Sequence, residues 1–390
     1  MNNLMISNKL IIIAVAVIAV VGVGFFAYDG NKKYNDTLSR MQEKVYVALE
    51  GSGEIAVIDA VTKKLFKKID LSEIQNGKRI GYMPHNVQVA PDNKSVWVTT
   101  AATEKMRKMS FQIIPAAHAD EGPVRETVDA DDQIIVIDPS SDKITKRINL
   151  GRGLRLSHVA LTPDGLFAIT ASQEKGVIYK INTISFEVEK TVDAQKGAGP
   201  HGLRISPDGK TAYIAMLGGK SMGILQIEKM NLEYIPLKGS AVQTGVTPDG
   251  KHALASVYET KGLAVYEIAS GTLRYVDLPK EAKGPVQLYP TADSRFVFVA
   301  DQGYYFDQPT SNLVYKIDIR EMKVVQTIPA GSAPHGIVVS QDGELVYVTN
   351  LLSDDVSVIN VQSGQEEKRI KVGDMPNGIS IWSTKASGTP

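Results

Sequence analysis

One short pattern constrains this chain more than any other. It is clearest at residues 333–350, APHGIVVSQDGELVYVTN, and returns in weaker form five times upstream. Those copies begin at Met83 (MPHNVQVAPDNKSVWVTT), Leu156 (LSHVALTPDGLFAITAS), Gly199 (GPHGLRISPDGKTAYIAM), Val242 (VQTGVTPDGKHALASV) and Gly284 (GPVQLYPTADSRFVFVAD). Each reads as a short apolar strand, a tight turn and a second, alternating strand, with a glycine such as Gly343 supplying the positive φ of the turn. A unit this small cannot bury its own apolar face, so the copies must stack on one another.

From Lys44 onward the chain divides into seven similar units. The first predicts strands at 45–48, 55–59, 65–69 and 87–90, and the last at 346–349, 356–360, 367–370 and 378–382. In each, the third strand is rich in Lys and Glu and reads as an exposed edge. The turn aspartates Asp164, Asp208, Asp249, Asp293 and Asp342 lie 44, 41, 44 and 49 residues apart. That spacing suits a four-stranded antiparallel blade of about 40–50 residues. The expected fold is all-β, a seven-bladed β-propeller. A β-sandwich does not predict seven near-equal units.

The residues that carry the repeat also carry a resemblance. Tyr347-Val348-Thr349-Asn350, with Pro334-His335-Gly336, Val358-Ile359-Asn360 and the Asp-Gly turn, resembles the YVTN-type β-propeller repeat family. The likeness covers residues 44–382. That broad group includes d1-haem-type propellers and the propeller subunit of hydrazine synthase. The resemblance implies a ring of blades with the Pro-His-Gly strand innermost. It also implies that the C-terminal strand closes the ring beside the three N-terminal strands, leaving no open sheet edge.

Composition narrows the function classes. Lys+Arg and Asp+Glu both number 43, which argues against nucleic acid as a partner. There is no cysteine, which excludes disulfides, thiolate metal sites and covalent c-type haem attachment. Residues 10–27 form an uncharged apolar run after Lys9, so residues 1–29 read as a signal peptide or N-terminal membrane anchor, followed by a polar spacer at 30–43. Either form predicts a periplasmic or otherwise extracytoplasmic propeller over 44–383, touching membrane only through the N-terminal segment, with a flexible tail at 384–390.

Two segments depart from the repeat. Residues 101–132 are inserted in the second unit, beginning basic, passing through Phe111, Ile113 and Ile114, and ending acidic. Residues 301–311, DQGYYFDQPTS, place Tyr304, Tyr305 and Phe306 in a loop, where three consecutive exposed aromatics predict a contact surface. Strand direction puts both insertions and the Pro-His corners on one rim. These six side chains are the candidate partner-binding residues. The expected partners are exported proteins; by resemblance these include haem-containing redox subunits, as in a hydrazine-synthase-like assembly. The protein is then a binding or scaffold subunit.

The corner position across the units reads His85, Ser157, His201, Val242, Val286, His335 and Asn377, with His158 one place later. The aligned histidines fall in units separated around the ring, and corner imidazoles of this kind are commonly tied to neighbouring backbone. Structural corners, with no cofactor, are the first reading. The alternative is a cofactor-dependent oxidoreductase or metal-binding propeller in which His85, His158, His201 and His335 hold a metal ion or, by resemblance, a d1-type haem. Catalytic residues are not visible. Gly218-Gly219-Lys220-Ser221 lacks phosphate-loop spacing and reads as a turn, and Asp129-Ala130-Asp131-Asp132 lacks the glycine and glutamate of a calcium loop.

Overall fold

A computed structural model describes residues 43–103 and 129–384. The N-terminal apolar run, Phe111, Ile113, Ile114 and the last six residues lie outside the described residues. Among the described residues no helix is long and apolar enough to cross a membrane.

Seven antiparallel sheets follow one another along the chain. Blades three to seven each begin with the apolar strand before the turn aspartate and run outward through three more strands. In the seventh blade Pro334–Val339 is buried throughout, Leu345–Asn350 and Asp355–Asn360 are almost wholly buried, and Glu366–Lys371 is exposed except at Ile370. Both faces of a blade pack on its neighbours, so the inner strands read as continuous apolar runs. The outermost strand carries the Lys and Glu that keep a sheet edge from pairing with other chains.

The innermost strands are Pro376–Ser383 (blade one), Lys78–Val89 (two), Leu156–Leu161 (three), Pro200–Ile205 (four), Ala241–Val246 (five), Pro285–Pro290 (six) and Pro334–Val339 (seven). Each packs on the next and the seventh on the first, which closes a ring around an axial channel. Blade one is shared. Pro376–Ser383 pairs with Glu43–Leu49, Val45 opposite Ile381 and Tyr46 opposite Ser380, and Glu54–Asp59 and Lys64–Asp70 complete it. A buried polar lock ties blade one to blade two. Lys44 Nζ donates to Pro139 O (2.6 Å) and Asp142 Oδ1 (3.1 Å), and the Tyr46 hydroxyl donates to the same oxygen (2.6 Å).

The second blade departs from four strands. Glu73–Gln75 pairs with the start of Lys78–Val89 as a fifth, through a turn in which Asn76 and Gly77 both take positive φ. The turns on the side of the ring away from the corners share a device: Ser206, Thr247 and Ser340 each donate a hydroxyl hydrogen bond of 2.6 Å to the aspartate two residues later.

Candidate functional site

The corners are positioned by a side chain hidden in the repeat. Thr349, the threonine of Tyr-Val-Thr-Asn, accepts from Gly336 N (2.7 Å) in its own blade and donates to Asn377 O (2.7 Å) in the next. Thr99 does the same between Asn86 N and Ser157 O, and Ser256 between Gln243 N and Val286 O. Every acceptor is the carbonyl of a corner residue, so this hydroxyl fixes where the corner side chains of Asn377, Ser157 and Val286 start. Blade three has Ala171 at that place. There Ser157 supplies the hydroxyl instead, within 3.1 Å of His201 O and 3.2 Å of Ala171 O.

These constraints bring three histidines together. The aligned His85, His201 and His335 fall in blades two, four and seven, and with His158 between them His85 and His201 stand on the innermost strands of three consecutive blades, two to four. One nitrogen from each of His85, His158 and His201 lies within 4.8 Å of the others. Ring centroids are 5.1 to 5.6 Å apart, all edge to face. His85 Nε2 and His201 Nε2 are 3.2 Å apart across the small Ser157. His201 Nδ1 lies 2.8 Å from Val242 O, so it carries the proton and Nε2 presents its lone pair to the cluster.

His158 enters the cluster through its offset. Its equivalents in blades four, seven and one are Gly202, Gly336 and Gly378, where an added Cβ would meet the adjacent inner strand within 2.8 Å. A side chain in this slot therefore points at the next strand, here the one bearing His201. His158 is fully buried, and among the described residues neither ring nitrogen has a hydrogen-bond partner. Burial, then the neighbouring imidazoles and Arg204, holds its pKa well below the usual histidine value, so it is neutral. His335 stands apart: its Nδ1 is 2.8 Å from the Gln302 amide nitrogen and its ring meets Tyr305 edge-on at 5.6 Å.

The aromatic loop folds inward, contrary to its expected exposure. Tyr304–Phe306 forms a single 3-10 turn between Gly303 and Asp307, both at positive φ. Tyr305 and Phe306 are buried and Tyr304 is half-buried. They cluster with Val242, Val286, Ala333, Leu351 and Met375, and Phe306 stacks on Tyr258 with ring centroids 4.2 Å apart. Gly284 makes room, since a Cβ there would come 2.3 Å from Phe306 Cδ2. The valine corners that interrupt the histidine series are thus the socket for this loop. The rim has an imidazole sector on blades two to four and an aromatic sector on blades five to seven. Asp132, read as part of an acidic run, is buried and accepts from the backbone of Ala102, Leu154 and Arg155.

The arrangement suits a metal ion. Two nitrogens bound to one tetrahedral ion at 2.0–2.1 Å stand about 3.3 Å apart, close to the His85–His201 separation. A hydrogen bond between those two rings accounts for both of them and leaves His158 unexplained; a buried unpaired polar group costs about 1–3 kcal/mol. The 3.2 Å between His85 Nε2 and His201 Nε2 leaves no room for a macrocycle, such as a d1-type haem, between those two rings.

Fold and rim together define a seven-bladed β-propeller with a histidine cluster at one end of its axial channel. Within that class, residues 240–387 match the YNCE-like beta-propeller family. Solved propellers share the fold at low identity. A functionally unknown protein from Desulfotomaculum acetoxidans is 14% identical, with a TM-score of 0.65 over 88% of this chain and 99% of its own. The periplasmic gluconolactonase of Pseudomonas aeruginosa gives 17% and 0.64 over 88% and 99%, and Kuenenia stuttgartiensis hydrazine synthase 18% and 0.59 over 78% and 96%. No curated protein shows significant sequence similarity to the chain.

Proposed function

We propose that this is an extracytoplasmic metal-binding propeller in which His85, His158 and His201 hold one divalent transition-metal ion. The observation that carries the reading is His158, fully buried beside two other imidazoles with neither ring nitrogen hydrogen-bonded among the described residues. Three imidazoles with no cysteine favour Zn, Cu, Fe or Ni over Ca or Mg. His85 is half-buried and gives the ion its way in. An ion on three imidazoles keeps a coordination position open, where it supplies Lewis acidity or an activated water. Export rests on the apolar run at 10–27. A scaffold role in a redox complex is the second reading. Tyr305 and Phe306 are buried, so its remaining support is the sequence of the insertion at 101–132.

The test is reconstitution. Chelator-treated protein given Co(II) should take up one equivalent with the intense visible absorption of a four-coordinate site. His158→Gln should melt no lower and bind at least a hundredfold more weakly. Wild-type protein without stoichiometric uptake of Co(II), Zn(II) or Cu(II) overturns the reading.

A further inference from the structure

The channel beyond the histidines contains a charge that none of the described residues balances. The seven innermost strands carry no Asp or Glu. Their cationic side chains are Arg204 and, in the hairpin extension of blade two, the exposed Lys78 and Arg79. Arg204 is three residues beyond His201 on the same strand, about 10 Å along it. Its one hydrogen bond runs from Nη1 to Leu203 O (2.9 Å), and among the described residues no carboxylate lies within 4.0 Å of the guanidinium. The rest of its five-donor fork is unused. It is half-buried on an innermost strand.

The group that acts electrostatically on Arg204 is another donor, Tyr289. At the equivalent position blade five has Gly245 and blade six has Tyr289, so no side chain from blade five separates the two. Gly245 cannot readily be filled, because a Cβ there would come 2.4 Å from Leu288 Cδ1. Burial pushes the Tyr289 phenol above its usual range, so it keeps its proton to donate. Burial weakens the Arg204 guanidinium's hold on its proton, with Tyr289 as the group that opposes this. An enclosed guanidinium is costly unless an anion meets it, and its planar fork matches two oxygens of an oxyanion.

We propose that Arg204 and the Tyr289 hydroxyl form a binding site for a small oxyanion, a carboxylate or an inorganic phosphate or sulfate, inside the axial channel. The site does not depend on metal at the histidines. Metal-free, full-length protein in an oxyanion-free, low-chloride buffer should be titrated calorimetrically with acetate, phosphate and sulfate in turn. One equivalent of at least one anion should bind and raise the melting temperature. Binding of acetate alone assigns a carboxylate ligand, and binding of phosphate or sulfate alone an inorganic one. Arg204→Met should bind at least tenfold more weakly and melt no lower in the anion-free buffer; Arg204→Lys, should the first variant fold poorly, should weaken binding through loss of the fork. Tyr289→Phe should weaken it severalfold. All three should take up Co(II) like wild type, which keeps this result separate from the metal reading. Absence of binding by every anion, or unchanged binding in both Arg204 variants, overturns the proposal.

Discussion

At the scale of single residues, the hydroxyl of the Tyr-Val-Thr-Asn threonine joins the chemistry of the site to the fold. Thr349 satisfies a buried N–H in its own blade and a buried C=O in the next. Thr349→Val keeps the volume and leaves both groups unsatisfied, so chemical denaturation should show a loss of about 1–3 kcal/mol. Spacing alone gave no view of this bond, because its partners lie in different blades. The same limit applies to His158. The sequence shows it one place off the corner register; that this place is a glycine slot aimed at the neighbouring strand emerges only once Gly202, Gly336 and Gly378 are seen packed. Val242 and Val286, which look like gaps in a histidine series, are contacts of Tyr305 and Phe306.

At the scale of elements, the loop after Asp301 misleads a reader of sequence for a physical reason. Three consecutive aromatics have no strand or helix period, so nothing marks which side is buried, and exposure is the default expectation. The fold buries two of them because a one-turn helix between two left-handed residues turns the rings toward the valine corners. Gly284→Ala places a methyl group in the path of Phe306 and should cost about 1–3 kcal/mol through overpacking. Near-ultraviolet circular dichroism should also change as the Tyr258 stack loosens, and an unaltered spectrum would mean that the loop docks differently. The extra strand in blade two had its signal in plain view, since Asn76-Gly77 is a strong two-residue hairpin turn. A reading tuned to four strands per unit passes over it.

At the scale of the whole molecule, repeat spacing made the blade count and ring closure legible, because seven near-equal units admit few other packings. Which corners meet across the axis was not legible, since that depends on side-chain size at Ser157 and on the offset of His158. The lock of Lys44, Tyr46 and Asp142 lies where closure is most vulnerable, between the shared blade and its neighbour. Lys44 and Asp142 side chains are 1% and 0% exposed, so Asp142→Ala strands a buried cation and should cost about 3–5 kcal/mol. The double variant Lys44→Met, Asp142→Ala should recover much of that loss, as equilibrium denaturation of both proteins would show.

Closure by Pro376–Ser383 against Glu43–Leu49 also sets a clock. The two partners lie more than three hundred positions apart, and the one that completes the ring is translated last. At about 5–20 residues per second, the first three strands wait tens of seconds for the fourth. Throughout that interval Glu43–Leu49 presents an unpaired inner edge, the kind of edge that recruits other chains. A ribosome pausing late in the message therefore lengthens the period in which this protein is most prone to aggregate, although every other blade already has all its strands.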